Sequence, residues 1–329
     1  MANESESEQK SNSTMTESAV DPPLSQMNSS INDIDRIDEN LSPLTDIHKS
    51  CGCGAKNTRD HNPDDGKIFS RSYVYAIGKV THRFPNRSLE MEFAQATGRL
   101  PEVDTKSLTN SEIMSRTLTD PNNRYIARHI CYIFNIENLE TYILTPSDPM
   151  DIDRLAHALR PAPKGYNDID IIIGRRGSIA SPEMCNGLVL PIVIVDQLYS
   201  FDRDALMNEI PKRKGENQAQ FRKTRDALFD HILQIADNAG AIDEHRALNY
   251  LAVRYAEIYH RTQLMQDENY SMSSVDVRTS HLSGARKIVD VIFSYENRSN
   301  RAGQKWFVRV DVDGLYPFLV SPMQEYFER

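Results

Sequence analysis

From Tyr73 onward the apolar positions recur with two different spacings, and these divide the chain into strands and helices. In "SYVYAIGKV", Tyr73, Tyr75 and Ile77 alternate with other side chains, the period of a strand that opens the folded part near Ser70. "NRSLEMEFAQATG" predicts a short helix ending at Gly98, and "HICYIFNIENLETYILTP" predicts two strands about a polar turn at Glu137 and Asn138. In "SDPMDIDRLAHALRPAP", Asp148 is placed to cap a helix, Pro149 fits its first turn and Pro161 stops it. Ile152, Leu155, Ala156 and Leu159 form the apolar face of that helix.

Two more apolar runs, "DIDIIIG" and "LVLPIVIVD", are continuous enough for strands buried on both faces, with Pro191 arguing for an edge or a bulge. Residues 202–210 predict a short helix and "PKRKGENQ" a charged connector. Two longer helices follow, with stripes at Phe221, Leu228, Phe229, Ile232, Ile235 and Ala236, and at Leu248, Leu251, Ala252, Tyr255, Ile258 and Tyr259. A helical hairpin through "DNAGAID" results, with Gly240 ending one helix and Asp243 capping the next. Near the C-terminus, Val289, Val291, Phe293 and Tyr295 alternate, as do Trp306, Val308, Val310 and Val312, which predicts an antiparallel hairpin. This order predicts an α+β fold with mixed or antiparallel sheets and a helical hairpin, in residues 67–329, with two subdomains divided near 211–218.

Residues 1–66 break the pattern. They hold no aromatic residue, and with 13 acidic and 5 basic side chains they account for −8 of the chain's net charge of −9. Such a segment cannot bury enough apolar surface to offset ~1–2 kcal/mol of backbone entropy per residue, so an acidic, disordered tail is expected. Within it, Ile31, Ile34 and Ile37 recur every third residue. The remaining residues are nearly neutral, which argues against a nucleic-acid footprint. With no secretory signal, no apolar run long enough for a membrane span and four cysteines, a soluble protein in a reducing cytoplasm is expected.

Three constellations are candidates for chemistry. His48, Cys51, Cys53 and His61 have the donor atoms that zinc prefers, but the one-residue cysteine spacing falls outside the usual two to four. A zinc site, a reactive thiol pair and a polar joint all stay open there; otherwise no cofactor is expected. Cys131 lies in an apolar strand and reads as core, whereas Cys185 lies in a polar loop, where a buried small residue, a metal ligand and a nucleophile with a nearby base all stay open. The loop "GRRGSIASPEMCNG" and the strand after it supply Arg175, Arg176 and Asn186 as peptide-binding candidates, and Asp196 at the end of an apolar run. Cys185 and Asp196 are the catalytic candidates. No Walker lysine motif, G-x-G-x-x-G or helical histidine pair accompanies them in residues 67–329.

Several stretches together, among them "EMEFAQATGR", "NRYIARHICYIFNIENLETYIL", "DIDIIIGRRGSIASPEMCNGL", "QIADNAGAIDEHRALNYLAVRY" and "LSGARKIVDVIFSY", make the chain similar to a known family. From about Tyr73 to Arg329 it resembles the C-terminal domain of unknown function in the cyanobactin maturation proteases PatA and PatG. In that family a subtilisin-like protease domain precedes this one, yet no "GTS", "HGT" or "DSG" motif for a subtilisin triad occurs here. The resemblance therefore implies a non-catalytic accessory or binding module in the maturation of a ribosomally made peptide. Its implied partners are a precursor peptide, a protease or heterocyclase, or a second copy in a homodimer, with neither nucleic acid nor membrane. The alternative is an enzyme acting on a peptide or small molecule through residues 174–204. The resemblance transfers no catalytic residues.

Overall fold

Strand β1 (Tyr73–Arg83) turns Val74, Ala76 and Val80 to one side and Tyr73, Tyr75 and Ile77 to the other, and the sheet closes around the first set. A computed structural model describes residues 72–98, 108–161, 168–203, 217–235 and 237–327, and all of them fall in the unit Asn62–Arg329. The acidic tail, with His48, Cys51, Cys53 and His61, lies outside the described residues, as does most of the helix expected over 202–210 and of the connector near 211–218.

After β1 come α1 (Arg87–Gly98), α2 (Asn110–Thr119), α3 (Arg124–His129), β2 (Cys131–Ile136), β3 (Leu139–Pro146), α4 (Ile152–Ala158), β4 (Asp168–Ile179) and β5 (Pro191–Asp202). The five strands form a closed barrel in the order β1-β2-β3-β5-β4. All neighbours are antiparallel except β3 and β5, which run parallel from Ile143↔Ile192 to Pro146↔Val195. The interior set includes Val74, Ala76, Tyr132, Phe134, Tyr142, Leu144, Ile172 and Val193, and it merges with Met114, Leu118, Ile126 and Leu155 of the helices into one core.

Closure requires β1 to change partners, from β4 at Gly78↔Asp170 to β2 at Lys79↔Asn135. A Cβ at position 78 would sit 2.2 Å from the Asn135 carbonyl, so only glycine allows this switch. Buried Asp170 satisfies the bend, accepting from the Val80 N–H at 2.7 Å and from the Ser200 hydroxyl. Helix α2, absent from the expected elements, is announced by "TNSE": Thr109 and Glu112 form a capping box.

The second half contains α5 (Gln218–Leu233), α6 (Asp243–Arg254), α7 (Glu257–Asp267) and the antiparallel sheet β6 (Tyr270–Thr279), β7 (Ile288–Asn297), β8 (Gly303–Asp311) and β9 (Phe318–Glu325). One face of β7 and β8, carrying Val291, Phe293, Tyr295, Trp306 and Val308, meets the helices. There the Tyr295 and Thr262 hydroxyls lie 2.8 Å apart, and the Arg261 guanidinium stacks 3.7 Å from the centre of the Trp306 ring.

The α+β class and the β7–β8 hairpin agree with expectation, and four local readings need correction. The helix expected through Tyr259 breaks at Tyr255, whose non-helical backbone, at φ −124° and ψ 88°, separates α6 from α7. Asp243 is not a cap: it is the first residue of α6, and its carboxylate pairs with Arg246 at 3.5 Å and Lys287 at 3.4 Å. Gly240 does not end α5, which stops at Leu233. Instead Gly240, at φ +68°, accepts from the Tyr75 N–H at 2.9 Å, and a Cβ there would lie 2.3 Å from the Tyr75 carbonyl. Strands β6 and β9 were not expected, because their composition is polar and β9 contains Pro322.

Candidate functional site

The register between β4 and β5 passes from Ile173↔Gln197 to Gly174↔Val195, which leaves Asp196 as the extra residue of a β-bulge. A bulge re-aims its side chain, and Asp196 here meets Arg175 of the neighbouring strand. Arg175 donates from Nε to Oδ2 at 3.2 Å and from Nη2 to Oδ1 at 3.0 Å, a two-point clamp. The two side chains are 49% and 20% exposed, so solvent screens the pair and its contribution to stability is modest.

Around the bulge the barrel meets the loop between β8 and β9. Tyr316 of that loop hydrogen-bonds Gln197; burial raises its pKa, with Tyr199 and Asp196 adding to the rise. The Arg254 guanidinium lies 5.7 Å over the Tyr199 ring, and Tyr75 and Tyr250 pack edge to face at 6.4 Å. A cleft beside Asp196, lined also by Pro146, Asp151, Arg154 and Leu155, has a volume of about 10 Å³. That is room for one water. The site is a largely buried carboxylate held by a half-exposed guanidinium and bordered by tyrosines, suited to polar and aromatic contacts with a partner. Of the residues singled out in the sequence, Arg175 and Asp196 come together here. Arg176 is exposed on β4, and its N–H donates to the Ser72 carbonyl at 2.8 Å.

For Cys185 the reading as a buried residue holds, and its bonding partner was not foreseen. It is buried and joined to Cys131 in a disulfide, with Cα atoms 6.0 Å apart. A disulfide sulfur is no thiolate, so nucleophilic chemistry at Cys185 requires prior reduction. The expectation that these two cysteines are free thiols is thereby corrected. The bond holds the β4–β5 loop against the outer face of the barrel, where Ala180, Leu188 and Leu190 cover Ile133, Ile143 and Ile192. Asn186 and Gly187, at φ +51° and +83°, make the turn, and Gly187 N–H donates to the Pro182 carbonyl at 2.7 Å. Asn186 is exposed at this tip, near Met184 in sequence (41% exposed) and between Ile179 (65%) and Val189 (52%).

The histidines are distributed elsewhere. His129 Nδ1 contacts the Tyr125 carbonyl at 2.6 Å, and His260 stacks on Phe221 with ring centres 5.1 Å apart. His157 lines a polar cavity of about 170 Å³ with Thr119, Asp120, Arg124 and Asp153. Arg124 is engaged there, pairing with Asp153 at 2.9 Å and donating to the Met150 carbonyl at 3.1 Å. Among the described residues no group of three or more His, Cys, Asp or Glu side chains is placed to hold a metal ion, and no helix is long and apolar enough to cross a membrane.

Sequence reasoning missed the polar residues that join the two halves. Arg246, 2% exposed, donates to the carbonyls of Val312, Gly314 and Leu315 and lies over the Tyr73 ring at 5.2 Å. Burial lowers its pKa. Asn249 donates to the Tyr75 carbonyl at 2.8 Å and exchanges hydrogen bonds with Asn238. Position gave no signal: at about 100° per residue both fall off the stripe of Leu248 and Leu251, on a side of α6 that is buried as well, where an unpaired polar group is costly.

No curated protein matches the chain. Residues 215–326, from just before α5 to the end of the sheet, match the family described as PatG C-terminal. The solved structure titled "PatG Domain of Unknown Function" is similar over 78% of this chain and 98% of its own, with a TM-score of 0.62 and 17% sequence identity. At that identity the likeness speaks for the fold, and it reaches beyond the matched residues into the barrel half. The chain carries a PatG C-terminal-like domain.

Proposed function

We propose that the protein is an accessory binding module in the maturation of a ribosomally made, cyanobactin-like peptide, and that it contributes contacts rather than catalysis. The observation that carries this reading is the match of residues 215–326 to the PatG C-terminal family, which is associated with cyanobactin biosynthesis. The partner is a precursor peptide or a maturation enzyme such as a protease or heterocyclase. In this reading the contact surface includes Arg175, Arg176 and Asn186, with Arg175 held in place by Asp196. The protein works in the cytoplasm of the producing cell and needs no cofactor.

Calorimetry and co-elution of the full chain with precursor peptides and maturation enzymes encoded beside it test the reading. Binding to at least one is expected, weakened about thirtyfold by Arg175→Ala together with Arg176→Ala, because each removes a charged hydrogen-bond donor worth ~1 kcal/mol. Absence of binding to every candidate, under both oxidising and reducing conditions, sinks it.

A further inference from the structure

The open sheet treats its two edges differently. On β9, the outward N–H of Met323 donates to the Tyr255 hydroxyl at 2.9 Å and that of Leu319 bonds to Tyr250, so α6 closes this edge with side chains. At the other edge β6 pairs with β7, and among the described residues no strand lies on its far side. Past a bulge at Ser273, the run from Ser274↔Ser294 to Thr279↔Val289 is regular. It presents a row of backbone donors and acceptors of the kind that recruits another strand.

The side chains of that run select the recruit. Asp276 and Arg278 are both exposed and, two residues apart, stand on the same face of the sheet. An antiparallel strand identical to β6 must align so that a residue, not a gap between residues, lies on the two-fold axis. An axis at residue 276 sets Asp against Asp, and one at 278 sets Arg against Arg. An axis at Val277 sets Asp276 against Arg278 of the other copy twice over, and Val275 against Thr279, a pairing of β-branched residues.

We propose that β6 is an isologous dimer interface, in which two copies of the chain pair antiparallel about Val277 to form one continuous sheet. The local contacts leave the charged groups available: Asp276 accepts from the Ser274 hydroxyl at 2.8 Å, and Arg278 uses one Nη2 on the Tyr326 hydroxyl while stacking 4.9 Å over that ring. A guanidinium has five donors, so it can hold Tyr326 and a carboxylate together.

Sedimentation velocity of the full-length protein across a concentration series tests this, independently of any peptide. The parent is expected to dimerise. Asp276→Arg and Arg278→Asp each place like charges opposite one another at two symmetric positions, and each should weaken dimerisation about tenfold or more. The double variant D276R/R278D restores opposite pairing and should return dimerisation to within about threefold of the parent. A parent that stays monomeric, a dimer indifferent to both single reversals, or a double variant as weak as the singles overturns the proposal. Circular dichroism checks the fold of each variant, and if a single reversal unfolds the chain, the double variant alone decides.

Discussion

In the barrel, β1 pairs with β2 along one part and β4 along another, and every strand has neighbours on both sides; in the second half, β6 and β9 are left as outer strands. The interiors differ in the same sense. The barrel closes on Val74, Phe134, Leu144, Ile172 and Val193, with few polar groups inside. The helix-and-sheet half buries Thr224, Arg225, Arg246, Asn249, His260, Gln263, Asp290 and Asp311. In the first region, then, the cost of losing a side chain follows its volume. In the second it follows the number of partners left without a hydrogen bond. The comparison also bears on where partners attach: a closed barrel offers only loops and side chains, whereas an open sheet offers backbone.

The widest separation between the two regimes is expected at Arg246. Arg246→Leu keeps an apolar side chain in place but strips donors from the carbonyls of Val312, Gly314 and Leu315 and leaves Asp243 short of a partner. A loss of ~3–5 kcal/mol is expected, as for breaking a buried charged network. Phe134→Leu in the barrel, a change of shape with no polar group orphaned, should cost ~1 kcal/mol. Urea unfolding of both variants measures the difference. If Phe134→Leu costs as much as Arg246→Leu, the distinction between a volume-governed and a polar-governed half fails.

A covalent bond sharpens the contrast from the barrel side. Cys131 and Cys185 are 54 residues apart in sequence, so their bond removes substantial freedom from the unfolded chain. Reduction should lower stability by ~2–4 kcal/mol. Melting with and without reductant should show a drop for the parent protein and none for Cys185→Ala, whose melting temperature matches that of the reduced parent. Equal melting of the oxidised and reduced parent would mean that the loop over Ile133, Ile143 and Ile192 is held by apolar contact alone.

How much of this was legible in the sequence depended on range. Alternation revealed β1, β2, β3, β7 and β8, because the signal sits inside each strand, and "DPMDIDRLAHALRP" carried its helix boundaries in its own prolines and aspartate. Barrel closure was hidden, since the parallel pairing of β3 with β5 joins residues about 50 positions apart and leaves no local mark. Strand β6, "YSMSSVDVRT", looked polar because, among the described residues, no strand lies along its outer edge and none of its side chains is fully buried. Arg175 and Asp196 were found because charged residues beside apolar runs stand out, but their mutual clamp depends on a bulge that composition does not announce. The bond of Cys185 was missed for the same reason: its burial was one of the readings, but a polar neighbourhood in sequence concealed Cys131 as its partner in space.

The smallest effect expected is a shared one, and it tests whether the halves titrate alike. Burial raises the pKa of Tyr75 on β1 and of Tyr295 on β7 to about 12 each, despite the lowering influence of Arg254 on the first and of Thr262 and Arg261 on the second. An unfolded chain releases these phenol protons near pH 10, about two units earlier. The folded state therefore holds the extra protons between these values, and the stability they contribute is complete below pH 10 and is lost as pH rises towards 12. At pH 11 each tyrosine should account for ~1 kcal/mol of lost stability. Tyr75→Phe and Tyr295→Phe should each flatten the alkaline limb of a stability profile measured by denaturant titration between pH 9 and about pH 11. Equal flattening means that burial outweighs the polar partners of both hydroxyls to the same degree. Flattening by Tyr75→Phe alone would show that the Thr262 hydroxyl, 2.8 Å from Tyr295, stabilises its phenolate enough to cancel the burial, and that the second half manages even this group by polar pairing.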